Sequence, residues 1–187
     1  MKIQTYLVAI LLLACTISCK KIKKLATINV NIPYSGVLGL PDLSHDTLIN
    51  FDSFPHGISV SLPPYGMPTY SQQFLSQYNT SPSKVNSAKL QSYTMQILKP
   101  VGGYFDFIDT VQIYLSAPNQ PEVLVAYNNN VPHDQNTVTM TSTYTELKNY
   151  FLQDSMFIRV YANFIKKPAG DSILMSTNFN VQADPLN

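Results

Sequence analysis

The chain has no tryptophan and a single arginine, and its only two cysteines, Cys15 and Cys19, fall within the first nineteen of 187 residues. Everything after Cys19 is therefore free of thiols, which excludes a disulfide framework and a cysteine-based metal site in the body of the protein. Charged residues make up only 12% of the chain, against a usual share of about 25%. An apolar share of 45% nevertheless excludes a disordered polymer. No apolar run reaches the roughly 20 residues that a membrane-crossing helix needs. Phosphate-cradling glycine loops and the G-x-S-x-G nucleophile elbow are missing as well. Gly102-Gly103 stands alone after Pro100, and "GDS" at Gly170 to Ser172 reads as a turn after Pro168.

What is present begins at the N-terminus, where Lys2 precedes the apolar block "YLVAILLLA" (Tyr6 to Ala14) and a small, polar stretch ending in "TISC" at Cys19. That order of charge, apolar run and small residues is the order of a secretory signal. Lys20, Lys21, Lys23 and Lys24 then end the segment. A signal that stops at a cysteine resembles the bacterial lipoprotein signal, and "SCKK" with Thr16 in place of the usual leucine resembles lipoproteins of the Bacteroidetes. The resemblance covers the signal and its cysteine alone. It implies a signal peptide over 1–18, a lipid attached at Cys19, a basic tether over 19–24 and an outer-membrane location. Surface-displayed members carry acidic residues after the cysteine; "KKIKK" at that place points to the periplasmic face. A lipid chain beside a basic patch is a sufficient two-part anchor.

Residues 25–187 have the length of one domain with one core. They keep seven Lys+Arg against eleven Asp+Glu, a formal charge of −4, which disfavours nucleic acid as a partner. Strict alternation dominates: "ATINVNI" puts Ile28, Val30 and Ile32 on one face, and "GISVSL" does so with Ile58, Val60 and Leu62. "SYTMQIL", "TVQIYLS", "EVLVAY", "NTVTMTS", "FIRVYANF" and "SILMSTNFNVQ" repeat the pattern. Period-two patterns read as half-buried strands. About eight of them, separated by turns such as "LPPYGMP" and "KKPAGDS", predict an all-β, two-layer antiparallel sandwich with one to three short helices. The helical candidates are "YSQQFLSQY" and "STYTELKNYFLQD", where Thr143 and Glu146 have the spacing of a capping box. The pattern from Val85 onward also resembles small lipoproteins of the same bacterial group, which implies an immunoglobulin-like variant of the sandwich.

Candidate chemistry is sparse. His45-Asp46 and His133-Asp134 are adjacent pairs, whose side chains diverge on an extended chain, and neither has helical metal-ligand spacing. Asp106 and Asp109 in "FDFID" read as solvated positions. No catalytic, cofactor or metal residue is assigned. The aromatic vocabulary is tyrosine, twelve of them, and "LPPYGMPTY" places Tyr65 and Tyr70 on a proline-stiffened segment suited to contact with a partner. The sequence thus reads as a non-enzymatic binding module for a protein or envelope component. A fimbrial or assembly subunit, a glycan-binding module and a convergent hydrolase are the alternatives.

Overall fold

The structure, a computed structural model, describes residues 27–48 and 50–186. The signal segment, Cys19 and the lysine tether lie outside the described residues. Two antiparallel sheets face one another. The first has the order β1 (Ile28–Gly39), β10 (Ser172–Ala183), β4 (Val85–Lys99), β7 (Thr137–Thr139). The second runs β2 (Ile58–Ser61), β9 (Ser155–Phe164), β5 (Ile108–Ala117), β6 (Gln120–Asn128), β8 (Thr141–Ser142), and β3 (Tyr65–Pro68) shares the same margin of β9 as β2. An all-β two-layer sandwich is therefore the architecture of the chain, with the helices reduced to α1 (Ser71–Gln77) and α2 (Lys148–Phe151).

Alternation does the work in most strands. Every second residue of β10 from Ile173 to Ala183 is buried, and Val111, Ile113, Leu115 and Ala117 are the inward side of β5. In β4 the buried positions change parity, from Ala88 and Leu90 to Tyr93, Met95 and Ile97, because the register with β10 slips beside Asn178. A bulge of this kind keeps apolar groups inward while the strand twists. Pro33 has no N–H to give, yet β1 pairs with β10 through all twelve of its residues. Its nitrogen therefore lies on the free edge of β1, where the missing donor blunts that edge against further strands.

Four expectations are corrected. "LPPYGMP" is not merely a turn, because Tyr65–Pro68 pairs with Ile158 to Ser155. "NTVTMTS" is not one strand: β7 pairs with β4, the chain crosses at Met140, and β8 pairs with β6 in the other sheet. Val60 is not inward, since β2 lies at a sheet margin and Val60 is 37% exposed, whereas Ile113 is fully buried. The capping box fails too. Thr143 turns its hydroxyl to the Leu124 carbonyl, and the Glu146 carboxylate accepts from the Ser87 hydroxyl (2.6 Å), the Ala88 N–H (2.8 Å) and the Lys148 N–H (3.0 Å). It fastens the β8–α2 connection to β4 in place of capping a helix.

The ends of the sandwich are distinct. Ile28 and Ala183 pair at one end, called here the near end, with Asp184 bonded to Lys84. Gly39, Lys99, Ile108, Phe164 and Ser172 mark the far end. The twelve residues of β1 separate the two by about 40 Å at roughly 3.3 Å per residue.

Ile113→Asp places an unpaired charge in the core at a cost of several kcal/mol, comparable to the whole stability of a domain. It is expected to abolish the cooperative thermal transition, while Val60→Asp shifts it by no more than about 5 °C. Circular dichroism melts of the two variants check this, and equal damage by both would contradict the placement of β2. Glu146 gives a pH test. Burial pushes its carboxyl up, but the donors of Ser87, Ala88 and Lys148 and the charge of Lys89 outweigh it and hold it below its ordinary range. A depressed carboxyl contributes stability above its unfolded value and loses it as pH falls through the folded one. The melting difference between wild type and Glu146→Gln should therefore be present near about pH 7 and close towards about pH 2.

Candidate recognition surface

The segment that follows β2 continues past Pro63-Pro64 in the same direction and runs on down the margin of β9 towards the near end as β3. Tyr65 lies on this strand, where the two sheets meet at an open side. Its ring covers Gly36 of β1, and a Cβ added at Gly36 would stand only 2.9 Å from Tyr65 Cε1. Tyr65 is still 38% exposed. Part of its ring is thus packing between the sheets and part faces solvent.

Below it the chain is pinned twice. The Tyr34 hydroxyl of β1 donates to the Thr69 carbonyl, and the Thr69 hydroxyl donates to the Gln153 carbonyl. The Tyr34 ring meets Phe74 and Phe179 edge-on at 5.8 and 5.6 Å, and burial pushes its phenol well above the ordinary tyrosine range. Such a group remains a neutral donor. Thr69, the residue before Tyr70, is therefore fixed twice over, and Tyr70 itself opens α1 with φ +48° and ψ +26°, in the left-handed region. Its side chain is 57% exposed.

Left-handed backbone costs a side-chain-bearing residue roughly 1–2 kcal/mol. Among the described residues four non-glycine residues adopt it: Asn79, Asn119, Tyr70 and Tyr144. Asparagine is the ordinary occupant, because its short amide tolerates the conformation. Tyrosine is not, and Tyr144 is 63% exposed. Beside Tyr70 is an open cleft of about 460 Å³ lined by Ser71, Gln72, Gln73, Ser76 and Asp154 among others. An aromatic face, two amides, hydroxyls and one carboxylate suit a polar ligand with hydrogen-bonding edges.

The other sequence candidates lie elsewhere and do not converge. His45 and His133 are exposed in separate far-end loops. Asp106 is paired with Lys166 at 2.7 Å, and Asp109 is at the start of β5, where its carbonyl accepts from Val131. Among the described residues no group of three or more His, Cys, Asp or Glu is placed to hold a metal. None of their helices is long and apolar enough to cross a membrane.

No family model matches the chain, and no curated protein does. Among solved structures it is similar to the decameric capsid protein of BFDV, at 7% identity over 84% of this chain and 99% of that one, with a TM-score of 0.39. It is also similar to a turnip yellow mosaic virus structure, at 12% identity over 85% and 95% of the two chains and a TM-score of 0.31. At those scores the likeness carries no argument about what this protein does. Its class is defined by its own geometry, an antiparallel two-sheet β-sandwich.

Tyr70→Asn is expected to relieve left-handed strain with little loss of packing, so the thermal midpoint should rise, by about 2–4 °C per kcal/mol for a domain of this length. A fall in the midpoint would show that the ring is retained for packing and would remove the ground for a contact role.

Proposed function

We propose that the protein is a lipid-anchored, non-enzymatic recognition module of the bacterial outer membrane that contacts a protein or envelope component through the Tyr70 surface. One observation carries this: a solvent-facing tyrosine is kept in a conformation that favours glycine or asparagine, at the mouth of a cleft. Backbone strain retained without a packing return marks positions under functional demand. Backbone fixed next to the ring, at Thr69, also leaves less freedom to lose on binding.

The near end fits the tether. Thr27 donates to Asp184 at 3.2 Å, and Leu186 bonds to Asn79 beyond α1, so Thr27, the residues after β10 and the end of α1 gather together. Seven residues, 20–26, separate Cys19 from Thr27, and the eight Cα-to-Cα steps between them reach at most about 29 Å. With acyl chains on Cys19 and four lysines against an anionic surface, the α1 side of the domain is held within reach of the membrane.

Two measurements test the reading. In fractionated cells Cys19→Ser should be found in the soluble periplasmic fraction or as uncleaved precursor, and firm membrane binding of a processed Cys19→Ser protein would end the anchor. Residues 25–187 should be retained on isolated envelope fragments. Tyr70→Asn should lose that retention although its thermal midpoint does not fall, while His45→Ala and His133→Ala leave it intact. Equal retention of wild type and Tyr70→Asn would exclude the Tyr70 surface.

A further inference from the structure

The far end carries a second surface of different chemistry. Between β1 and β2 the chain makes an excursion from Leu40 to Gly57 that folds over the margin of the second sheet. Leu40 bonds to the Asp171 carbonyl, Leu43 to the Pro168 carbonyl, and Lys167 donates to the Asp46 carbonyl. Between this excursion and β2 lies a cleft of about 100 Å³ walled by Leu40, Leu43, Phe51, Val60, Leu62 and Phe164, with no polar atom on its surface. Apolar cavities of roughly 150 Å³ take up a benzene-sized guest, so this one has room for an aliphatic side chain. Phe54 and Leu48 stand exposed on the same excursion, and Val101 and Tyr104 on the neighbouring β4–β5 turn.

Charge is concentrated around the same end. Asp42, Asp46, Asp52, Asp106, Asp109, Asp134 and Asp171 all belong to the far-end loops or strand ends, against Lys99, Lys166 and Lys167. Those groups sum to −4, so the whole net charge of the domain is at this end. The remaining four acids are matched by Lys84, Lys89, Lys148 and Arg159. Two of the three far-end lysines are already engaged, Lys166 with Asp106 and Lys167 with Asp46. Asp42 and Asp52 flank cleft residues in sequence and are exposed. The hydroxyl and N–H of Ser44 hold the Asp42 carboxyl below its ordinary value, so its charge persists across the neutral range. An apolar socket inside an acidic rim is complementary to one kind of partner surface.

We propose that the far end docks a cationic protein segment that inserts one aliphatic side chain between the Leu40–Gly57 excursion and β2 while its lysines or arginines meet the acidic rim. This assignment is independent of the Tyr70 surface and of the lipid anchor. The acidic residues supply attraction and orientation, and the socket supplies the discrimination between apolar and polar partners.

The probe is a synthetic peptide, Ac-KKLKKLLKK-amide, with one control in which serine replaces every leucine and another in which glutamate replaces every lysine. Titration calorimetry of residues 25–187 should show one site for the lysine–leucine peptide, weakened at least about tenfold between roughly 20 mM and 500 mM salt. Val60→Ser opens the socket wall at an exposed position, and Asp42→Asn with Asp52→Asn removes two rim charges while keeping the acceptor that Ser44 uses. Each variant should weaken binding by at least about fivefold with the thermal midpoint within a few degrees of wild type. Equal binding of the serine peptide, binding of the glutamate peptide, or indifference to Val60→Ser would overturn the proposal. Tyr70→Asn should bind the peptide as wild type does; a loss there would move the contact to the near end and overturn the assignment to this one.

Discussion

The pairing of β10 on both of its edges is the constraint from which the rest of the structure follows. β10 is the last strand of the chain, yet it lies between β1, the first, and β4. Its twelve residues match β1 from Ile28 against Ala183 to Gly39 against Ser172 without a slip. Both cysteines precede residue 20, so nothing covalent helps to hold this closure. The first sheet is therefore incomplete until the C-terminal residues are available, and its formation bears the loop-closure entropy of nearly the whole chain. That order would suit a chain exported before it folds, as we propose for this one: the central strand is the last to arrive, and early closure of the sheet is impossible.

How much of this was legible in the sequence follows from the range of each interaction. Strands whose partners differ only in which face they bury, such as β5, β9 and β10, announce themselves by alternation, because the pleat alone decides which residues are inward. Tyr65–Pro68 did not. Its two preceding prolines and Gly66 read locally as a turn, and only the edge of β9, some ninety positions away, makes it a strand. Val60 alternates as a core residue does, but alternation cannot tell a strand flanked on both sides from one at a margin. The stretch around Glu146 has the local grammar of a helix start. Long-range donors at Ser87 and Ala88 competed for the carboxylate and won, and only one turn of helix survived after it.

The recognition candidates divide in the same way. Tyr65 and Tyr70 were visible as aromatic residues on a proline-stiffened segment, but their roles separate only in three dimensions. Gly36 leaves the space into which the Tyr65 ring fits, so that ring belongs partly to the closure of the sandwich. Tyr70 gains no comparable packing, and its left-handed backbone has no signature in a single sequence, because glycine or asparagine would be the expected residue there. The far-end socket was invisible for another reason. Its walls come from the excursion, β2, the end of β9 and Pro168, four places that no periodicity connects.

The distribution of charge links the two surfaces to the anchor. A formal charge of −4 on the domain reads as a mild acidity when it is spread over the chain, but the fold concentrates it on the loops about 40 Å from the N-terminal strand end. The four lysines between Cys19 and Leu25 precede, in sequence, the strand that starts at the other end. A molecule polarised in this way, placed on an anionic membrane surface, is oriented by its own electrostatics as well as by its tether, since rotating the acidic end towards the surface is opposed within a Debye length of about 8 Å. Under the proposed anchor the acidic loops would face away from the lipid, where a soluble cationic partner can reach them, and the tyrosine-lined cleft would stay close to the envelope. If the proposed anchor holds, the segregation of charge does for orientation what neither sheet can do, because neither sheet by itself gives the domain a reason to present one end outward.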